Sequence, residues 1–164
     1  MGGTTFAVLT CSDASAADPA MDAAGPALVE LGENAGWQCI GREVSPSDRS
    51  RISECLIDFT DRRGATLVFT TGGTGLGPTD VTPEATMDVA TRAVPGIAEA
   101  IREGSAQFTK KAMLSRAVAA QRGASLIVNL PGSESSAREA FGLVVDVIPA
   151  AVRMMRGEGK CKIE

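Results

Sequence analysis

Three short apolar runs, each ending abruptly in a polar or glycine-rich turn, constrain this chain most: FAVLTCSD (Phe6 to Asp13), ATLVFTT (Ala65 to Thr71) leading into GGTGLGPTD, and SLIVNLPG (Ser125 to Gly132). Each is short and almost continuously apolar, the pattern of a strand covered on both faces. WQCIGREV, from Trp37 to Val44, reads as a further strand. Between them, GPALVELGENAG places Leu28, Leu31 and Ala35 on one helical stripe and closes with Gly36. SDRSRISECLIDFTDRRG carries Ile52, Cys55, Leu56 and Phe59 at helical spacing and stops at Gly64. TPEATMDVATRAV, PGIAEAIREGSAQF and KKAMLSRAVAAQRG read as helices, the first two opened by prolines suited to a first turn. A last helix from Ser136 to Met155 is predicted to kink at Pro149. Strands separated by helices imply right-handed crossovers and an α/β fold with a mainly parallel sheet. Ligands of such sheets bind off the strands' carboxyl ends, where Asp13, the stretch Thr71 to Asp80, and Pro131 to Ser133 are expected to converge.

The 164 residues suffice for one self-sufficient core, read as a single domain over residues 1–156 with a solvated tail at 157–164. A net charge of −4 without any Lys/Arg block argues against a nucleic-acid partner. There is no histidine, and the four cysteines lack any C-x-x-C spacing, which argues against zinc sites and against Ser-His or Cys-His catalysis. Cys11, Cys39 and Cys55 sit among apolar neighbours and read as small buried hydrophobes. No apolar run approaches membrane-spanning length and no basic leader precedes one, so a cytoplasmic location without membrane contact is expected.

The loop after the third strand carries Gly72, Gly73, Gly75 and Gly77 ahead of Asp80. Bare backbone after a strand lets N–H groups approach an anion, most often a phosphate. A Walker A loop would need lysine where Pro78 and Thr79 follow Gly77, and a dinucleotide fingerprint would need glycine at Pro78. A carboxylate at Asp80 repels phosphate unless a cation lies between them, so the loop reads as a phosphate nest with a Mg²⁺-linked carboxylate. The alternative is a turn serving only strand-to-helix geometry, with Asp80 and Thr82 as caps.

Taken in order, VLTCSD with DAAGPAL, TTGGTGLGPTDVTPEAT, PGI, MLSRAVA and LIVNLPGS resemble the molybdopterin-binding family, which includes MogA/MoaB-like molybdopterin adenylyltransferases and the G domain of gephyrin. The resemblance implies a three-layer α/β/α domain, a homotrimer, and Mg-ATP-dependent adenylylation of the molybdopterin phosphate with release of pyrophosphate. It implies nucleotide phosphates at Thr71, Gly72, Gly73, Thr74 and Gly75, and a catalytic, Mg²⁺-holding role for Asp80. It also implies substrate contacts from Asp13, Ser115, Arg116, Pro131, Gly132 and Ser133, with Arg116 suited to bidentate anion binding; Asp22 matches a further acidic position. Such chemistry is chiefly positioning and charge neutralisation and requires no side-chain nucleophile. The chain departs from the family pattern at Ser47, where an acidic residue is usual, leaving Asp48 one place later as the second catalytic candidate. It departs also at Ala14, Thr79 and the turn PGSESS, each of which removes a usual cation. Two readings follow: an adenylyltransferase, and a non-catalytic relative that binds pterin or nucleotide. A nucleotide hydrolase is a third, by analogy alone.

Overall fold

The computed structural model describes residues 3–158, so most of the predicted tail lies outside the described residues. Strands β1 (Thr5–Cys11), β2 (Gln38–Ser45), β3 (Leu67–Thr71) and β6 (Ser125–Leu130) run parallel, in the order β2-β1-β3-β6. Their side chains alternate strictly between two cores, as the period of a strand requires. Phe6, Val8, Leu67, Phe69, Leu126 and Val128 face α2 (Ala24–Asn34), α5 (Pro95–Ala106), α6 (Glu134–Val144) and α7 (Ile148–Met155). On this face Trp37 packs against Phe6, Phe69 and Phe141. Ala7, Leu9, Val68 and Ile127 face α3 (Arg49–Ile57) and α4 (Thr82–Val89) on the other side. The result is the expected three-layer α/β/α arrangement. Burying each large side chain contributes roughly 1.5–3 kcal/mol, and the fully buried Phe6, Leu28, Phe59, Phe69 and Ile127 hold the layers together.

The segment KKAMLSRAVAAQRG corrects its helical reading. It forms a 3₁₀ turn at Lys110–Leu114, an extended stretch, and then β5 (Ala119–Arg122), antiparallel to β6. Gly123, at φ +54°, turns β5 into β6, and a two-residue β4 (Arg92–Ala93) completes the far edge. Alanine's helix propensity misleads here. Pairing with β6 places Ala119 and Ala120 in the interior, and tertiary packing outweighs propensity. The helix predicted through residue 94 ends at Val89, because Arg92 and Ala93 pair with β5. The helix predicted over residues 136–155 is two helices, with Pro149 in the first turn of α7 rather than at a kink. A short α1 (Asp13–Ala17) follows β1, its first turn capped by Ser12.

At the amino end of the strands the two ends of the described chain meet, Arg156 donating to Gly3 O at 3.3 Å. No helix among the described residues is long and apolar enough to cross a membrane.

Candidate functional site

The parallel register sets Thr10, Thr71 and Leu130 side by side at the carboxyl ends of β1, β3 and β6. β1 leads to α2 on one face and β3 to α4 on the other, so the chain departs in opposite directions and leaves a crevice between the two strands. Gly72 and Gly73 reverse the backbone there, both left-handed at φ +92° and +66°. A Cβ on Gly72 would lie 2.5 Å from Cys11 O, and one on Gly73 would lie 2.3 Å from Thr82 Oγ1. The reversal is fixed by Gly72 N–H donating to Leu130 O (3.2 Å), the Thr82 hydroxyl donating to Gly72 O (2.8 Å), and Thr82 N–H donating to Gly73 O (3.1 Å). Among the described residues none accepts from the N–H groups of Gly73, Thr74 or Gly75. They form a run of available donors of the kind that binds phosphate oxygens.

Asp80 folds back over this run. Its Oδ2 accepts from Gly77 N–H at 2.9 Å, and its own N–H donates to Gly77 O at 3.1 Å. Side chains at positions 75 or 77 would come within 2.8 and 2.9 Å of that carboxylate oxygen, which explains glycine at both. Beneath the loop, the buried Asn129 amide donates to the hydroxyls of Thr70 and Thr86, both at 2.9 Å, while its Oδ1 accepts from Val118 N–H. Thr86 in turn donates to Thr82 O, so a fully paired polar network carries the loop's foot. Asn129 is the lone amide within SLIVNL, and a polar residue inside an otherwise apolar strand was the available sequence signal for it.

Two cavities flank the loop. The larger, about 480 Å³, is lined by Asp13, Asp22, Ser47, Gly72, Gly73, Asp80, Gly132 and Ser133 among others, with no lysine or arginine in its lining. Cys11 also borders it, but burial pushes its thiol up to about 12, so it stays protonated and is no nucleophile at neutral pH. The smaller, about 390 Å³, holds Thr74, Gly75, Lys111, Ser115 and Pro131. Gly73, Asp80 and Ser133 therefore share a cleft, whereas Ser115 faces the neighbouring cavity across the loop. Asp13 accepts from Ser47 N–H at 2.7 Å, tying the turn after β2 to the cleft. Asp22 is buried and satisfied by the Thr10 hydroxyl, Gly25 N–H and the Arg42 guanidinium. Ser133 caps α6 by accepting from Ser136 N–H at 3.2 Å.

Three expectations for side chains change. Thr71 borders the larger cavity, but its buried hydroxyl is already committed, donating to Pro131 O at 2.6 Å and joining the turns after β3 and β6. The Arg116 guanidinium, expected to receive an anion, donates instead to Gly75 O and Asp80 O and pairs with Glu84. Asp48 caps α3, accepting from Arg51 N–H at 2.9 Å, and is absent from the cleft lining, where Ser47 stands. Helix capping favours a carboxylate with β-region backbone just before the first turn, and Asp48 has that backbone. Asp48→Ala is accordingly expected to cost about 1 kcal/mol in urea unfolding.

Residues 7–150 match the family described as probable molybdopterin binding domain. The chain is 40% identical over 157 residues to the molybdenum cofactor synthesis protein cinnamon of Drosophila melanogaster, covering 94% of this chain and 26% of that protein. It is 41% identical over 115 residues to the molybdopterin adenylyltransferase of Helicobacter pylori, covering 70% of this chain and 65% of the relative. The chain thus spans only a fraction of the length of these curated relatives. The fold superposes on the molybdopterin biosynthesis enzyme MoaB of Thermus thermophilus with a TM-score of 0.88 and 38% identity, covering 94% of this chain and 97% of that one. The glycine loop and the crevice it borders lie within the matched span, and the chain belongs to the molybdopterin binding domain family.

Proposed function

We propose that this chain is a molybdopterin adenylyltransferase of molybdenum cofactor biosynthesis, joining AMP from ATP to the molybdopterin phosphate. The single observation carrying this reading is the run of unaccepted N–H groups at Gly73, Thr74 and Gly75 held beside the Asp80 carboxylate. In the proposed reaction a molybdopterin phosphate oxygen bonds to the ATP α-phosphorus, and the bond from that phosphorus to the oxygen bridging to the β-phosphorus breaks, releasing pyrophosphate. The attacking phosphate is already ionised, so the protein's task is to orient two anions and offset their repulsion. The backbone donors of the loop would take nucleotide phosphate oxygens. Ser115 and Pro131 would meet the pterin substrate in the smaller cavity, which Thr74 and Gly75 also line, and Asp13, Gly132 and Ser133 would meet it from the larger cleft, so that the loop's donors lie between the two substrates.

The donor set fits a magnesium ion brought in with the nucleotide. Mg²⁺ on phosphates takes most of its contacts from phosphate oxygens and water, so one or two carboxylates from the protein suffice. Asp80 is the candidate: Gly77 occupies only one of its carboxylate oxygens. When bound, the ion would neutralise phosphate charge that no basic residue of the larger cleft offsets.

That lack of basic residues also favours the second reading, a relative that binds pterin or nucleotide without transferring AMP. Incubating the purified chain with molybdopterin, ATP and Mg²⁺ separates the two. Pyrophosphate release matching adenylylated pterin is expected; pterin binding without release would replace the enzyme reading with the binding one. The homotrimeric state and cytoplasmic location belong to this proposal. A groove of about 550 Å³ lined by Val94, Ile97, Val147, Ala151 and Met154 supports self-association, since it offers apolar surface to bury.

A further inference from the structure

Arg116 lines neither cavity, yet it touches the loop more extensively than any residue that does. Its N–H donates to Thr74 O at 2.8 Å, its Nε to Gly75 O at 2.7 Å, and one terminal nitrogen to Asp80 O at 2.7 Å. The other terminal nitrogen pairs with Glu84 in the first turn of α4. One planar fork therefore grips both ends of the arc from Gly75 to Asp80. That arc holds two glycines and no regular secondary structure, so its backbone has much conformational entropy to lose. A guanidinium can satisfy several acceptors in fixed directions, whereas an ammonium acts as a point charge. Glu84 completes the device. Its Oε2 is shielded from solvent and has no partner among the described residues, while its other oxygen receives Arg116, which holds the carboxyl below its ordinary range.

We infer that Arg116, oriented by Glu84, is a positioning residue that holds the loop in its phosphate-binding conformation before nucleotide arrives. This rests on the adenylyl-transfer reading, and it replaces the anion-binding role that the motif MLSR suggested. Ser115 lines the pterin-side cavity, so the same two-residue step links that cavity to the loop mechanically.

Two variants of the full chain test it. Arg116→Lys keeps the charge and loses the fork. The double variant Arg116→Met with Glu84→Gln removes both charges together, so no unpaired carboxylate remains to unfold the protein. Hydrogen exchange is followed at the amides of Gly77, Asp80 and Thr82, whose bonds close the loop. Both variants are expected to exchange there about tenfold faster or more, with the rest of the sheet unchanged. The KM for ATP is expected to rise by a similar factor while kcat falls less, a split that a loss of folded protein alone would not produce. Unchanged exchange in both variants overturns the inference. Faster exchange with ATP KM and kcat both at wild-type values overturns it as well, leaving Arg116 a structural clamp only. A wild-type chain that releases no pyrophosphate overturns the adenylyl-transfer reading instead, and the exchange comparison then still decides whether Arg116 sets the loop.

Discussion

Asp80→Asn is expected to lower ATP-dependent pyrophosphate release by about 10²–10³-fold while leaving the melting temperature close to wild type. The separation of the two effects follows from the geometry. The asparagine side-chain carbonyl can still accept from Gly77 N–H, as Asp80 Oδ2 does at 2.9 Å, so the loop remains closed. The negative charge disappears, and with it the means proposed above for retaining a cation between crowded phosphates. No lysine or arginine in the lining of the larger cleft compensates. Pterin binding in the smaller cavity is expected to change little, because Asp80 does not line it. Steady-state pyrophosphate assays alongside thermal melts decide the matter. Near-wild-type turnover in Asp80→Asn would reduce the residue to a loop closure.

Gly72→Ala carries the largest expected cost to the fold, about 3–5 kcal/mol from a left-handed residue combined with overpacking. The added carbon would fall 2.5 Å from Cys11 O, a backbone atom at the end of β1, which is held by β2 on one side up to Cys11 and by β3 on the other up to Thr10. On the other side the Cα of Gly132 lies close by, so the loop cannot shift towards β6 either. Any rotation that relieves the clash also breaks the bonds from Gly72 N–H to Leu130 O and from the Thr82 hydroxyl to Gly72 O. Urea unfolding of the variant measures the loss; a cost under about 1 kcal/mol would mean that the turn relaxes in a way its contacts do not suggest.

The central strands were legible because β1, β3 and β6 are covered on both faces and so appear as nearly continuous apolar runs. The edge strand β2 was legible too, but the antiparallel β4 and β5 were not. Ala119 and Ala120 are buried as small residues in a ladder, and nothing in an alanine pair distinguishes a strand from a helix before its partner is known. The turn itself was legible, since glycines at 72, 73, 75 and 77 ahead of an aspartate mark a backbone reversal, and two of them are left-handed. Their supports were less so. Arg116 became an anion ligand only through the family resemblance; the fold alone brings Gly75 O, Asp80 O and Glu84 to within reach of one guanidinium. Asp48 and Ser47 illustrate a sharper limit. They are adjacent, yet one caps a helix and the other borders the cleft, a distinction set by where the first turn of α3 begins.

Gly3 and Arg156 meet at the amino end of the strands, while the glycine loop stands at their carboxyl end. Polypeptide joined near Gly3 or Arg156 would start from the pole opposite the cleft. The domain can therefore be carried as a cassette, inserted into or appended to a larger chain with its working face left open. Its match to about a quarter of the cinnamon protein is compatible with that kind of use. The proximity of the two ends also marks out a route for circular permutation, in which a short linker closes the old ends and new ones open elsewhere.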